Sequence, residues 1–176
     1  MAMEMERRFL VKAVDLSIGD HPELGEAPAK KLMQAYFGTA PGFALRLRTI
    51  DCSQAFLTVK RGSGSIREEW EIPIDYEFAR QLFPGCLHFL QKRRYYRDGW
   101  EVDFYDHPLA GLITAEHEVK DKTELDQIIL PPWIKEAVEV TDRLAAFDLA
   151  RLAGRLRGLP KVLPERLHEL LLARQF

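Results

Sequence analysis

Between Met3 and about Val119 the chain alternates apolar and polar residues with a period of two, the pattern of half-buried strands. The segments are Met3–Lys12, Lys31–Phe37, Phe43–Thr49, Ala55–Lys60, Ile66–Ile74, Gln91–Arg97, Trp100–Tyr105 and Ile113–Lys120. Gly and Pro punctuate them at Gly25–Pro28, Gly38–Gly42, Gly62–Gly64, Arg97–Gly99 and Asp106–Gly111. Asp98-Gly99 suits a tight hairpin, since both residues tolerate the positive φ that such turns need. Helices are predicted over Tyr76–Phe83, capped by Asp75 and ended by Pro84-Gly85, and over Glu124–Ile129, capped by Thr123 and stopped by Pro131-Pro132. From Asp142 onward Leu144, Phe147, Leu149, Leu152 and Leu156 recur at helical spacing until Gly158-Leu159-Pro160. A last amphipathic segment, Pro164–Arg174, packs on the sheet or against a sister subunit, which leaves a homodimer open.

About eight strands with short connections predict an α+β, mainly β protein: a closed eight-stranded antiparallel β-barrel with covering and C-terminal helices. An open-sheet α+β domain is the fallback. No repeat, low-complexity run or linker divides the chain. We expect a single domain over 1–176, with the barrel at about 3–120 and a helical part at about 123–176.

The charged residues fall at i and i+2, on one face of each strand: Glu4/Glu6/Arg8, Arg46/Arg48, Glu69/Glu71, Lys92/Arg94, Glu101/Asp103 and Glu116/Glu118. Thr58/Lys60 and Gln34/Tyr36 share the pattern. The opposite face is apolar in Leu45/Leu47, Leu57/Val59, Trp70/Ile72 and Val102/Phe104. Taken strand by strand, this reads as a solvated face over a core. Two features turn the charges inward instead. The pairs are mostly same-sign, which surface strands avoid, and the helical segments supply apolar faces that need a sheet exterior to cover. A lumen of unpaired ions would cost several kcal/mol each, against a total stability of roughly 5–15 kcal/mol. It must therefore be wet and open-ended, with opposite charges facing across it. Carboxylate clusters suit hard divalent cations, Mg²⁺ or Mn²⁺, and Arg and Lys clusters suit phosphate oxygens.

Composition narrows the partners. Charged residues make up 30% of the chain but the net charge is −2, which argues against a generic nucleic-acid binder. Cys52 and Cys86 are too few and too scattered for a structural zinc site or a disulfide framework, and fit a reducing cytosol. The N-terminal MAMEMERRFLV lacks the apolar run of a signal peptide, and no stretch reaches membrane-spanning length. The expectation is a soluble, cytoplasmic protein.

Glu4-Met5-Glu6-Arg7-Arg8-Phe9-Leu10-Val11 resembles the N-terminal signature of the CYTH superfamily, the triphosphate tunnel metalloenzymes: Glu-x-Glu-x-Lys followed by an apolar strand. Gln34-Ala35-Tyr36-Phe37, Leu45-Arg46-Leu47-Arg48, Leu57-Thr58-Val59-Lys60, Arg67-Glu68-Glu69-Trp70-Glu71-Ile72 and Lys92-Arg93-Arg94-Tyr95 resemble its next strands. Glu101-Val102-Asp103, Ala115-Glu116-His117-Glu118 and Glu139-Val140-Thr141-Asp142 complete the order, so the resemblance covers roughly residues 3 to 152. It implies an eight-stranded tunnel in which acidic pairs hold Mg²⁺ or Mn²⁺ and basic residues hold a small-molecule triphosphate. Carried over, the metal side is Glu4, Glu6, Asp103, Glu116 and Glu118, with Glu69 and Glu71 nearby. The phosphate side is Arg8, Arg46, Arg48, Lys60, Lys92 and Arg94. Glu4, Glu6, Arg8 and Tyr36 are then the catalytic candidates, and the Tyr36 position can influence which substrate is cleaved. The resemblance implies metal-dependent hydrolysis, first of inorganic tripolyphosphate as in the bacterial tripolyphosphatases. Thiamine triphosphatase, adenylate cyclase and a non-catalytic triphosphate or polyphosphate binder are the alternatives.

The chain departs from the family twice. Arg8 stands where the signature has lysine, and an arginine cannot readily serve as a general base. After Thr141 a Lys/Arg-Tyr stretch is replaced by Asp142-Arg143-Leu144-Ala145, with Arg143 the local basic candidate. His117 has the parity of the barrel exterior, His107 precedes Pro108 in a turn, and Arg67 can meet phosphate or pair with Glu69.

Overall fold

The computed structural model describes residues 2–14, 28–159 and 162–173. The turn signal at residues 25–27, Pro160 and the final Arg174 lie outside the described residues. Eight strands follow the predicted order: β1 (Ala2–Val14), β2 (Lys30–Ala40), β3 (Phe43–Ile50), β4 (Gln54–Arg61), β5 (Ile66–Ile74), β6 (His88–Arg97), β7 (Trp100–Tyr105) and β8 (Ile113–Val119). A ninth, β9 (Ile134–Glu139), follows them. The helices are α1 (Tyr76–Leu82), α2 (Lys122–Asp126), α3 (Ala146–Leu156) and α4 (Pro164–Leu172).

The strands pair antiparallel in the order β5-β4-β3-β2-β6-β7-β8-β1-β9, and β1 also pairs with β5, which closes an eight-stranded barrel. The closure depends on the length of β1. At 13 residues, and about 3.3 Å per residue, it serves two neighbours along one edge. Ala2–Met5 pair with Glu69–Ile66 of β5, and Phe9–Val14 pair with β9. In the gap between them the Glu6 amide donates to the Ser65 carbonyl (3.0 Å) and the Arg8 carbonyl accepts from the Val140 amide (2.9 Å). The hairpin between β6 and β7 turns at Asp98 (φ 50°) and Gly99 (φ 77°), as its sequence predicts.

The pleat sends the charged positions inward. Glu6, Arg8, Arg46, Lys92, Arg94, Asp103 and Glu116 are all buried, as are Gln34, Thr58 and Thr114. Along the same inward rows the character changes toward one end of the barrel. Leu10 follows Arg8, Leu90 precedes Lys92, and Tyr105 follows Asp103, and these apolar residues join one cluster with Leu149 and Leu152 of α3 and Leu167 and Leu171 of α4. The C-terminal helices therefore close one end of the barrel rather than lying on its outside. On the exterior α1 covers Leu47 and Ala55, and Trp133 with Ile134 covers Phe9, Val102 and Trp100. His117 stacks on the outside against Trp100, ring centroids 4.9 Å apart.

The structure differs from the pattern-based reading at three elements. β9 falls in the stretch expected to be helical; its register against β1 shifts between Val11 and Ala13 and again before Val14, which erases the clean alternation that marks a strand. Asp121, not Thr123, caps α2 by accepting from the Glu124 amide (2.9 Å), and the helix ends at Asp126 because Ile128 and Leu130 pack into the exterior core. α3 begins at Ala146, not Asp142: residues 142–145 form a turn in which the Val140 carbonyl accepts from Arg143 and Leu144, and Asp148 accepts from the Ala145 amide.

Leu149 is fully buried where α3 meets the barrel end. Leu149→Ala is expected to cost about 2–5 kcal/mol in urea unfolding. A change under about 0.5 kcal/mol, the size of an ordinary surface effect, would show that α3 does not carry this packing.

Candidate functional site

The inward rows of β1, β3, β4, β5, β6, β7 and β8 bring their charges together as opposite-sign partners. Arg8 donates from Nε to Glu116 (2.6 Å) and from Nη2 to Glu6 (3.0 Å). Lys60 bridges Glu4 (2.6 Å) and Glu69 (2.7 Å). Arg67 meets Glu4 (3.3 Å) and Glu6 rather than Glu69. Arg48 forks onto Glu71 (2.7 and 2.8 Å), while Arg46 lies 3.6 Å from the same carboxylate and donates to Thr58 (3.2 Å). Arg94 grips Asp103 through two nitrogens, both at 2.7 Å, reaches Glu116 at 3.4 Å and also bonds Glu101. Lys92 donates to Asp103 Oδ2, the oxygen that also accepts from Arg94 Nη2.

Mutual neutralisation sets the titration of these groups. Burial alone would raise the Glu116 carboxyl, but Arg8, Arg94 and Lys92 hold it well below the usual carboxylate range. Asp103 is lowered in the same way, with Arg94 and Lys92 outweighing burial. Burial would lower Arg8, yet Glu116 and Glu6 raise it further above an ordinary guanidinium. Lys92 goes the other way: burial and neighbouring Arg94 bring it down from 10.5 to about 8, against the pull of Asp103. Burial also raises the Tyr36 phenol.

Not every lumenal group is satisfied internally. Among the described residues Arg46 Nε, Arg48 Nε and Gln34 Oε1 are buried without a hydrogen-bond partner. At the end where β3 turns into β4 the sign is reversed. Burial and then Glu4, Glu101, Glu6 and Glu69 raise the Glu118 carboxyl, a local surplus of negative charge, and among the described residues no cation is bonded to Glu118. Glu101 is raised by burial, with Glu116 and Asp103 adding to it against Arg94. Among the described residues no three His, Cys, Asp or Glu side chains converge at metal-binding spacing, because each lumenal cation draws its own carboxylate aside. The surplus around Glu118 nonetheless consists of hard oxygen donors, which fit Mg²⁺ or Mn²⁺.

A cavity of about 610 Å³ opens beside the plugged end. Its inner wall is Arg8, Tyr36, Arg46, Lys60 and Arg67, and its outer wall is the segment from Thr141 to Asp148 with Arg151. Arg8 ties the two walls together by donating to the Leu144 carbonyl (2.7 Å). The β4–β5 turn approaches so closely that a Cβ at Gly64 would lie 2.6 Å from Asp142 Oδ1. Of the residues nominated from sequence, Arg8, Tyr36, Arg46 and Lys60 line this cavity. Lys92, Arg94, Asp103 and Glu116 are buried deeper in the barrel, Glu4, Glu6 and Glu69 pair with Lys60 and Arg67, and Arg48, Glu71 and Glu118 stand toward the opposite end. Phe147 and Arg151 in the wall escaped sequence reasoning, because helical spacing alone assigns Phe147 to packing. Glu101 was visible only as the partner of Asp103.

Comparison with known proteins agrees with this architecture. The CYTH domain model matches residues 2–152. An inorganic triphosphatase of Nitrosomonas europaea is 33% identical over 142 residues, spanning 77% of this chain and 88% of that protein. A solved inorganic triphosphatase structure superposes with a TM-score of 0.56 at 32% identity, covering 85% of this chain and 95% of that one. A protein of Pyrococcus horikoshii OT3 shares the fold, with a TM-score of 0.51 at 18% identity over 92% of this chain and 94% of its own. Among the described residues no helix is long and apolar enough to cross a membrane.

The folded-state values of Asp103 and Glu116 lie below their ordinary 3.8 and 4.5, so both contribute stability above about pH 4.5 and lose it as pH falls through the lowered values. Melting temperature is expected to fall steeply on the acid side. Asp103→Asn should cost about 3–5 kcal/mol at pH 7, because it leaves Lys92 and Arg94 buried and undercompensated. An acid limb unchanged in Asp103→Asn would mean that the pairing does not govern it.

Proposed function

The chain belongs to the CYTH domain family, and from that premise we propose that it hydrolyses a triphosphate, first inorganic tripolyphosphate, to pyrophosphate and phosphate. The observation that carries this reading is the cavity wall of Arg8, Arg46, Lys60 and Arg67, in which Arg46 retains a buried donor without a partner. Phosphate oxygens satisfy such donors, and arginine does so bidentately.

In this reading the anion exchanges partners with the lumen. Lys60 releases Glu4 and Glu69, Arg67 releases Glu4 and Glu6, and each cation turns to phosphate. Arg46 and Arg48 extend the contact, and Lys92 and Arg94, held on Asp103, contribute positive charge from below. Together they offset charge that develops on the transferred phosphoryl group. Glu4, Glu6 and Glu69, so released, together with Glu71, Glu116 and Glu118 would hold Mg²⁺ or Mn²⁺. Such an ion would neutralise phosphate charge and help order the attacking water. Asp103 takes part by fixing Lys92 and Arg94. Tyr36, protonated and edge-on to Phe147 (5.4 Å), shapes the cavity wall. Arg8 stays charged and supplies binding and orientation but no proton acceptor. That permanent charge favours one rival, a triphosphate binder without turnover.

Phosphate release from tripolyphosphate with Mg²⁺ or Mn²⁺ should exceed that of Glu4→Ala/Glu6→Ala. Arg46→Ala should lower kcat/KM by about a hundredfold or more. Absence of turnover of tripolyphosphate, ATP and thiamine triphosphate above the double variant would sink the hydrolase reading. Tight binding with turnover restored in Arg8→Lys would install the binder in its place.

A further inference from the structure

The outer wall of the cavity continues onto the exposed side of α3. From Thr141 to Arg157 the basic residues are Arg143, Arg151, Arg155 and Arg157 and the acids are Asp142 and Asp148, an excess of two positive charges in a chain whose net charge is −2. Asp148 is engaged at the start of α3, where it accepts from the Ala145 amide (2.9 Å). Arg143 and Arg151 line the cavity, and Arg155 follows Arg151 by four residues, one helical turn of about 5.4 Å farther out. Arg155 and Arg157 are exposed. Arg157 lies over the Phe89 ring, 3.2 Å from its centroid, and donates to the Phe89 carbonyl at 2.6 Å. His88, beside this strip, is lowered by burial and then by Arg151, Arg157 and Arg155, which places the three arginines around it.

We propose that Arg143, Arg151, Arg155 and Arg157 form an outer anion subsite, continuous with the tunnel cavity, that takes the remainder of a linear phosphate chain longer than three whose end occupies the tunnel. The proposal rests on the triphosphate reading of the cavity and extends it to the length of the substrate. The strip suits an inorganic chain better than an RNA backbone, because the aromatic rings beside its arginines are engaged, and the exposed Phe43 of the cavity rim belongs to β3 and not to the strip. Phe147 is held edge-on between Tyr36 and His88, and Phe89 is covered by Arg157.

The test measures binding of tripolyphosphate, a polyphosphate of about fifteen units and a 5′-triphosphorylated oligoribonucleotide by calorimetry across a salt series. The longer chain should bind at least about tenfold tighter than tripolyphosphate at low salt, with a steeper fall as salt rises. Arg155→Glu, remote from the cavity, should remove most of that gain and leave tripolyphosphate affinity and turnover within about twofold. Equal affinity for the two inorganic chains in the wild type overturns the subsite while leaving the triphosphate reading intact. So does a gain that survives Arg155→Glu. An RNA that binds as tightly as the long chain overturns the inorganic assignment. If tripolyphosphate itself neither binds nor turns over, it is the underlying function that fails.

Discussion

Charge cannot be buried in a folded protein without an answering charge, and nearly everything in this molecule follows from how that condition is met. Unpaired, the lumenal ions would cost several kcal/mol each and exceed the stability of the whole domain. The barrel meets the condition by geometry. Antiparallel neighbours place Lys60 beside Glu69, Arg94 beside Asp103 and Arg8 beside Glu116 in direct cross-strand register. Each strand can then carry same-sign pairs along its length while its neighbours supply the opposite sign. Glu6 opposite Glu118 and Glu101 opposite Glu116 are the same-sign exceptions, and they gather the carboxylates toward the end where β3 turns into β4.

That arrangement also makes the lumen responsive. In the proposed reaction a cation satisfied by a carboxylate would be satisfied by a phosphate oxygen instead, which would leave that carboxylate for a divalent ion. The groups differ in how readily they exchange. Asp103, wholly buried and gripped by both Lys92 and Arg94, is a fixed anchor, whereas Lys60 and Arg67 border the cavity and, like their partner Glu4, are partly accessible. The unpaired Glu118 and the partnerless Arg46 and Arg48 nitrogens mark the places where internal neutralisation is incomplete. A buried donor left unbonded is costly, which is why the proposed phosphate contacts include Arg46 and Arg48, while the exposed Glu118 bears no such penalty.

The helices complete the division of labour. Because Leu10, Leu90 and Tyr105 replace charge at one end of the inward rows, α3 and α4 can seal that end with leucines. The seal leaves a lateral mouth between the β4–β5 turn and the segment after β9, and Arg8 secures that segment through the Leu144 carbonyl. The substitution of arginine for the signature lysine therefore has a visible structural use: a guanidinium reaches Glu6, Glu116 and a carbonyl at once, which a single ammonium on the same stem does less well.

Local patterns in the sequence determined the eight barrel strands, the Asp98-Gly99 hairpin, the Asp75 cap of α1 and the parity that sets Glu4, Glu6, Arg8, Arg46 and Arg48 on one face. These depend on side-chain alternation and turn chemistry within a few residues, which the linear order records. β9 was hidden because its bulged register breaks the alternation, and the start of α3 was hidden because Arg8, more than a hundred residues away, holds Leu144 in a turn. Same-sign pairing already turned the charged face inward, but which cation met which carboxylate, and how Arg143 and Arg151 came to stand at the mouth, were decided only by closure of β1 onto β5. Those contacts join strands distant in sequence, and parity along one strand is silent about the strand that will lie beside it.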